Sequence, residues 1–425
     1  MFETNANFAI QKDKNDPLKE YRESFFIADE NTIYLDGNSL GRLPKATKLL
    51  ISEVTEKQWG TNLIESWNKY WYEKSSELGN KIAKLIGAAD NEVIVSDNTS
   101  TNLYKLAHAA LRLKHNKTEI VSDVFNFPTD LYILQGLIEE AGTDYKLVLA
   151  NSKDDIHIDI NDLKSKITQN TALVVLSLVA FKSSFFYNAR EITEWAHKKG
   201  ALVLWDLSHA AGAIPIDLTK TNADLAVGCT YKYLNGGPGS PAFLYVRKDL
   251  QNKLTSPIQG WFGDDRPFNF DLNYKPAKGV RRFLTGTPPV INQMAIEPGV
   301  DLLLNAGMKN IHKKSVTLSE YFIFLIQEIA QKNGFTIGSP LDSNKRGSHI
   351  SVKHPEAYRI CQALINPQKS KLKIIPDFRE PDNIRFGFTP LYTNFIEVWT
   401  TVERLNTIIE TKEYECFSMK KKVVT

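Results

Sequence analysis

"LVLWDLSHAAGAIPIDLTKTNADLAVGCTYKYLNGG", residues 202–237, holds two short apolar runs that each end on a charge poorly suited to burial. The first, 201–209, closes on Asp206, with His209 three residues later; the second, 224–230, runs into Lys232 between two tyrosines and then a glycine-rich turn. Runs that are apolar throughout, rather than alternating, belong to strands covered on both faces, as in parallel sheets. A carboxylate at the end of such a strand is costly without a cationic partner. Lys232 lies about one helix and one strand beyond Asp206. Lysines at strand ends are commonly mere surface groups, so the surrounding sequence decides.

Working outward, similar runs occur at 92–97, 119–123, 146–150, 172–181 and 242–249. Between them lie amphipathic stretches; after "DNTST", Leu103, Leu106, Ala107, Ala110 and Leu111 form one helical stripe. Strands alternating with helices predict an α/β fold with a large, mostly parallel sheet and ligands at the carboxyl ends of its strands. Residues 257–289 are rich in Pro, Gly and aromatics, a long loop of the kind that carries function. A helical stretch follows, then "GSHISV" and "NIRFGFTPLY", read as a smaller α+β C-terminal domain. The expected organisation is an N-terminal arm (1–50), a large domain (51–290) and a small domain (291–425).

Composition narrows the class. With 42% apolar and 24% charged residues the chain reads as folded. A net charge of +3 gives no global case for nucleic acid. The basic cluster Lys420–Lys422 reads as a solvated tail. Three scattered cysteines provide neither a disulfide framework nor a CxxC metal site, so no metal is expected. The N-terminus is charged where a signal peptide is apolar, and the run 172–181 is too short to span a bilayer. These features point to the cytoplasm and to no membrane partner.

Four features fall at expected strand ends. Thr99 and Ser100, before the amphipathic helix, offer hydroxyls and free N–H groups to a phosphate, or an ordinary N-cap. Phe127 in "FNFPTD" can stack on a planar ring or fill a core, with Asp130 at a possible helix start. Asp206 can pair with a protonated pyridine nitrogen or cap a helix. Lys232 can form a Schiff base with an aldehyde. Together, in this order, they specify pyridoxal 5'-phosphate.

The chain resembles the fold-type-I pyridoxal-phosphate enzymes of the aminotransferase class V group, and within it the kynureninase family. The likeness runs through "YLDGNSLGRLP", "QWGTNLIESW", "FNFPTD", "LVLWDLSHAAGAIPIDL", "AVGCTYKYLNGGPGSPAFLYV", "GWFG", "FLTGTPP" and "IRFGFTPLY". It implies hydrolysis of L-kynurenine to anthranilate and L-alanine, in tryptophan breakdown or NAD precursor supply. It further implies that Lys232 carries the cofactor and moves the Cα proton, Asp206 pairs with the pyridine N–H, and Tyr231 acts as acid or base. Phe127 would stack on the ring, and Thr99, Ser100, Asp130, Ser177, His209 and Tyr231 would contact the cofactor. Trp261 and Thr287 match positions that reach the phosphate region from a partner subunit, implying a homodimer. Arg385 matches the arginine that clamps the substrate α-carboxylate.

The resemblance departs at "AFKSSFFYN", where Ala180 and Ser184 replace the usual Asn and Gly and make the turn after Ser177 an open question. Thr287 and the Trp59–Gly60 pair look like the bacterial form, which prefers kynurenine over its 3-hydroxy derivative. A cysteine desulfurase would need a thiolate on a mobile loop; Cys229 is in an expected strand, Cys361 in an expected helix and Cys416 in the tail. A non-catalytic scaffold has no physical reason to keep a buried lysine and aspartate together.

Overall fold

The computed structural model describes residues 2–142 and 144–421; Lys422, the last of the basic cluster, lies outside them. All seven apolar runs form strands of one sheet: β2 (Val93–Val95), β3 (Glu119–Asp123), β4 (Lys146–Ala150), β5 (Thr171–Ser177), β6 (Leu202–Asp206), β7 (Leu225–Gly228) and β8 (Phe243–Val246). Their spatial order is β2-β8-β7-β6-β5-β3-β4. The pairs from β4 to β7 are parallel, whereas β8 is antiparallel to both β7 and β2. The link from β7 to β8 contains the glycine-rich turn and no helix; the link from β6 to β7, expected to hold one, contains none either, yet those two strands are parallel.

Alternate residues of the central strands enter two different cores. Leu173, Val175, Leu204, Leu225 and Val227 pack with Leu103, Leu106, Ala107 and Ala110 of helix Thr99–Leu113. Val174, Leu176, Val203, Trp205 and Ala226 face the other side. Each fully buried aliphatic side chain contributes about 1.5–3 kcal/mol, which is why the runs show no polar alternation. The run expected to reach Phe181 leaves the sheet at Ser177; Val179 bridges Phe186 and the Ala180 N–H donates to the Phe185 carbonyl.

A second, antiparallel sheet has the order β12-β13-β10-β9, with β9 Thr336–Ile337, β10 His349–Lys353, β12 Asp377–Arg379 and β13 Asn383–Gly387. Helices Met308–Leu325, Ala357–Ile365 and Phe395–Glu410 cover it through Leu318, Phe322, Cys361, Val398 and Val402, packed on Ile350, Val352, Ile384 and Phe386. Near the N-terminus, β1 (Thr32–Tyr34) pairs in parallel with β11 (Lys373–Ile375). Beyond it, Asp36 bridges Gly387 and the Gly41 N–H donates to the Tyr231 carbonyl at 2.8 Å. The "DGNSLG" phrase thus links the second sheet to the Lys232 turn.

Candidate active site

Going along the chain, β4 lies on one side of β3 and β5 on the other, so the sheet reverses its winding between β3 and β5. Ligands of open α/β sheets gather at the carboxyl ends beside such a point. Here Ser177, the last residue of β5, donates its Oγ proton to Asn126 Oδ1 at 2.7 Å, across that crevice. Asn126 Nδ2 in turn donates to Ser122 Oγ at 3.0 Å. The loop is fixed from below by Asp123, whose Oδ1 accepts the Phe125 N–H at 2.6 Å and whose Oδ2 accepts the Tyr187 hydroxyl at 2.6 Å. Burial raises the Asp123 carboxyl to about 6.

That loop presents Phe127, a residue 39% exposed whose ring meets that of Phe181 edge-on at 5.2 Å. Lys232 Nζ lies 5.8 Å from the Phe127 centroid and 5.8 Å from that of Tyr231. It also sits 3.4 Å from His209 Nε2 and 3.5 Å from Nδ1. Burial, followed by the Lys232 charge, holds the His209 imidazole neutral, well below its ordinary range. Burial pushes the Tyr231 phenol up, so its hydroxyl keeps its proton.

Two carboxylates face the same lysine. Asp206 is buried; its Oδ1 accepts from the Ser208 hydroxyl at 2.6 Å and N–H at 2.9 Å, and its Oδ2 is 3.5 Å from Ser177 Oγ. Asp130 is also buried, at the first turn of helix Pro128–Ala141, and its Oδ2 has no hydrogen-bond partner among the described residues. Burial raises both acids, and for Asp130 the Asp206 charge is the next cause; Lys232 lowers both. Two buried acids with one lysine between them call for a further positive group.

Thr99 and Ser100 occupy the first turn of helix Thr99–Leu113. The N-cap is Asn98, whose Oδ1 accepts the Thr101 N–H at 2.9 Å. Asn98 and Thr101 share a cavity of about 560 Å³ with Tyr231, Ser240 and Pro289. Helix N-termini favour anions because their first N–H groups have no partner within the helix.

Arg385, on β13, is fully buried and bound on several sides. Nε donates to Asp377 Oδ1 at 2.7 Å, Nη2 to Asp377 Oδ2 and to Ser39 Oγ at 3.1 Å, and Nη1 to the Phe181 carbonyl at 2.5 Å. Asp36 stands beside this pair, and burial followed by the Asp377 charge raises it to about 7. Asp36, Asp377, Asn126 and the N-cap Asn98 belong to the surroundings of the site and were not singled out from the sequence. Only Asn98, preceding a helical stripe, carried a local signal.

Trp261 stands apart in this chain, whereas Thr287 lies near the helix start. Trp261 packs on Phe262 at 4.4 Å in an exposed aromatic group with Phe268 and Phe270. Thr287 lines a cavity of about 230 Å³ with Asp97, Thr285 and Gln293, which adjoins the one at the helix start through Asp97, Pro241 and Pro289. Cys229 and Cys361 are buried, with burial pushing both thiols up, and only Cys416 is exposed. The turn at "AFKSS" closes with Ser184 at φ +68°, a left-handed conformation that suits the glycine usual there. Its carbonyl and hydroxyl oxygens both accept the Gly347 N–H, at 2.8 and 3.1 Å.

Residues 311–405 match the family described as the kynureninase C-terminal domain. The kynureninase of Pseudomonas fluorescens is 42% identical over 416 residues, covering 97% of each chain. That of Burkholderia mallei (strain SAVP1) is 41% identical over 411 residues, covering 96% of each. Among solved structures, the cysteine desulfurase of Thermococcus onnurineus NA1 superposes with a TM-score of 0.78 at 20% identity, covering 92% of this chain and 98% of its own. A mutant of C-DES with glycine covalently linked to its PLP cofactor reaches 0.75 at 17% identity, covering 89% and 97%. These structures share the fold, the α/β architecture of fold-type-I pyridoxal-phosphate enzymes. The extent and level of identity across the whole length place the chain itself in the kynureninase family.

Proposed function

We propose that this chain hydrolyses L-kynurenine to anthranilate and L-alanine with pyridoxal 5'-phosphate held at Lys232. The carrying observation is the group at the sheet's switch point: Lys232 Nζ beside His209 and the open face of Phe127, with two buried acids around it. These residues fit the cofactor. A protonated ring nitrogen would supply the positive partner that Asp206 lacks, Phe127 would cover the ring, and the helix start at Thr99 and Ser100 would take the phosphate. Ser177 and Asp130 would act from the ring's edge, and His209 from beside the lysine. When bound, the cofactor supplies an electron sink conjugated to the substrate's α-nitrogen.

The chain's own residues then have distinct tasks. Lys232 Nζ holds the cofactor and afterwards takes the proton from the substrate's Cα. Tyr231, which keeps its proton, serves as acid near the side-chain carbonyl. Arg385 orients the α-carboxylate. Water adds at the carbonyl carbon, the Cβ–Cγ bond breaks, that carbon leaves as the anthranilate carboxyl, and Cβ gains a proton to become the methyl of alanine.

The test is to incubate the purified protein, with added cofactor, with L-kynurenine and 3-hydroxy-L-kynurenine in parallel, and Lys232→Ala as control. Anthranilate should form, the control should lack both activity and the visible absorbance of lysine-bound cofactor, and kcat/KM should be higher for kynurenine. Bound cofactor without either product would overturn the reaction.

The finer assignments rest on the same reading. A homodimer would bring Trp261 and Thr287 to the partner's phosphate region; the exposed Trp59, Ile64, Phe268, Phe270 and Leu272 give it apolar surface to bury. Light scattering on the purified chain distinguishes monomer from dimer. The division into arm 1–50, large domain 51–290 and small domain 291–425 is supported by the two sheets, with the arm's β1 paired to β11 of the small domain. A cytoplasmic setting accords with the absence, among the described residues, of any helix long and apolar enough to cross a membrane.

A further inference from the structure

The guanidinium of Arg385 has five N–H groups. Asp377 takes two, Ser39 one and the Phe181 carbonyl one, leaving a single N–H for a substrate. A carboxylate has two oxygens and is held best by two donors. The arginine edge that would provide both is already taken by Asp377.

A second donor stands on the adjacent strand. His349 pairs in register with Gly387, and Ser351 with Arg385. Paired residues in an antiparallel ladder share a face, as do residues two apart, so His349 and Arg385 lie on one face of neighbouring strands. His349 is 0% exposed, and neither ring nitrogen has a hydrogen-bond partner among the described residues. The Phe181 carbonyl is close enough to favour its protonated form yet outside hydrogen-bonding geometry. Its ring lies 5.6 Å from that of His209, which adjoins Lys232 Nζ. Burial, with the charges of Arg385 and Lys232, outweighs Asp377 and holds the imidazole neutral, so one nitrogen carries a proton and the other does not.

The surroundings are shaped to match. Across from His349, a Cβ on Gly387 would come within 1.9 Å of Asn38 Oδ1. Asn38 is itself 0% exposed, and both its side-chain polar atoms are unpartnered among the described residues. Burying such groups unsatisfied is costly, and a bound polar ligand removes that cost.

We infer that His349 is a substrate-binding residue, whose N–H supplies the second hydrogen bond to the α-carboxylate beside Arg385. This rests on the reading that Arg385 receives that carboxylate. It places the amino-acid end of the substrate against the shared face of β10 and β13 and the α-nitrogen towards Lys232.

The test separates the carboxylate from the rest of the ligand. The holoenzyme is titrated with L-alanine and with ethylamine, which differ by that group, following the cofactor's absorbance. In His349→Leu, L-alanine should bind about tenfold more weakly, equivalent to about 1.4 kcal/mol, with ethylamine unchanged. His349→Gln, which keeps an N–H, should recover most of the loss, and in turnover the leucine variant should raise KM more than it lowers kcat. Equal weakening of both ligands, or no weakening, overturns the inference. So does a wild type that binds both equally, because the carboxylate seat is then misplaced. Should the leucine variant not fold, a crystal structure of the wild-type holoenzyme with L-alanine decides: the inference requires a carboxylate oxygen in hydrogen-bonding reach of His349. Normal alanine binding without anthranilate formation would remove the proposed reaction and leave this inference standing.

Discussion

Arg385 and Asp377 are joined edge to edge, Nε to Oδ1 at 2.7 Å and Nη2 to Oδ2, with both side chains buried. Arg379 adds a second cation on Asp377 Oδ2 at 2.7 Å. Removing one member of a buried pair leaves an uncompensated charge and costs about 3–5 kcal/mol. Asp377→Ala should therefore lower the thermal midpoint markedly, and Asp377→Asn, which keeps one acceptor, should fall between. Wild-type melting of the alanine variant would show that water reaches the guanidinium.

Asp36 makes the same cluster sensitive to pH. Its carboxyl is raised to about 7, so the folded protein holds a proton that the unfolded chain releases near the ordinary carboxylate range. Its stabilising effect is present in full below that range and disappears as pH rises to about 7. Above about 7, ionised Asp36 also weakens the field that attracts a substrate carboxylate. KM for L-kynurenine should rise through neutrality in the wild type and stay level in Asp36→Asn. Parallel profiles for the two proteins would exclude Asp36 as the titrating group.

Lys105 ties the long loop to the large sheet. Its side chain is fully buried and donates to Asp97 Oδ2 at 2.6 Å and to the Phe283 carbonyl at 2.6 Å, while Asp97 Oδ1 accepts the Thr285 hydroxyl at 2.7 Å. Lys105→Met preserves volume but strands Asp97. Stability should fall by about 3–5 kcal/mol in chemical denaturation. Amide exchange should quicken around residues 283–287, and unchanged exchange there would refute the tether.

Ser184 pays for its left-handed backbone with hydrogen bonds. Ser184→Ala keeps the strain and loses the hydroxyl acceptor of the Gly347 N–H, a loss of about 0.5–1.5 kcal/mol. Ser184→Gly loses the same bond but relieves a strain of about 1–2 kcal/mol. Thermal denaturation should rank the alanine variant below the glycine variant, with glycine near wild type. The reverse order would mean that the side chain's packing, not its backbone angle, dominates.

The strands of the large sheet were legible as short apolar runs, because burial on both faces of all but the part-exposed edge strand β4 removes any reason for polar alternation. Their carboxyl ends located Asp206, Lys232 and Phe127, since chain order and strand direction together bring those ends to one edge. The antiparallel course of β8 was less visible, because helix-free links precede both β8 and the parallel β7 and so do not fix strand direction. Ser184 shows the same division at one residue: a departure from the usual glycine could be read, but its φ of +68° and its bonds to Gly347 could not.

By itself, then, the sequence determined which segments must be buried, where the sheet presents its chemistry, and that Phe127, Asp206 and Lys232 stand at the ends of its strands. Periodicity and local charge suffice for those, because each depends on neighbours within one strand or helix. The tertiary structure alone decided that Arg385 is already paired, that Asp36 and Asp377 share its pocket, and that His349 beside it has no hydrogen-bond partner among the described residues. Asp36 and Arg385 meet only through the pairing of β1 with β11 and the bridge to Gly387. Hydrogen bonds and charge coupling act over a few ångströms of space, whatever the separation along the chain.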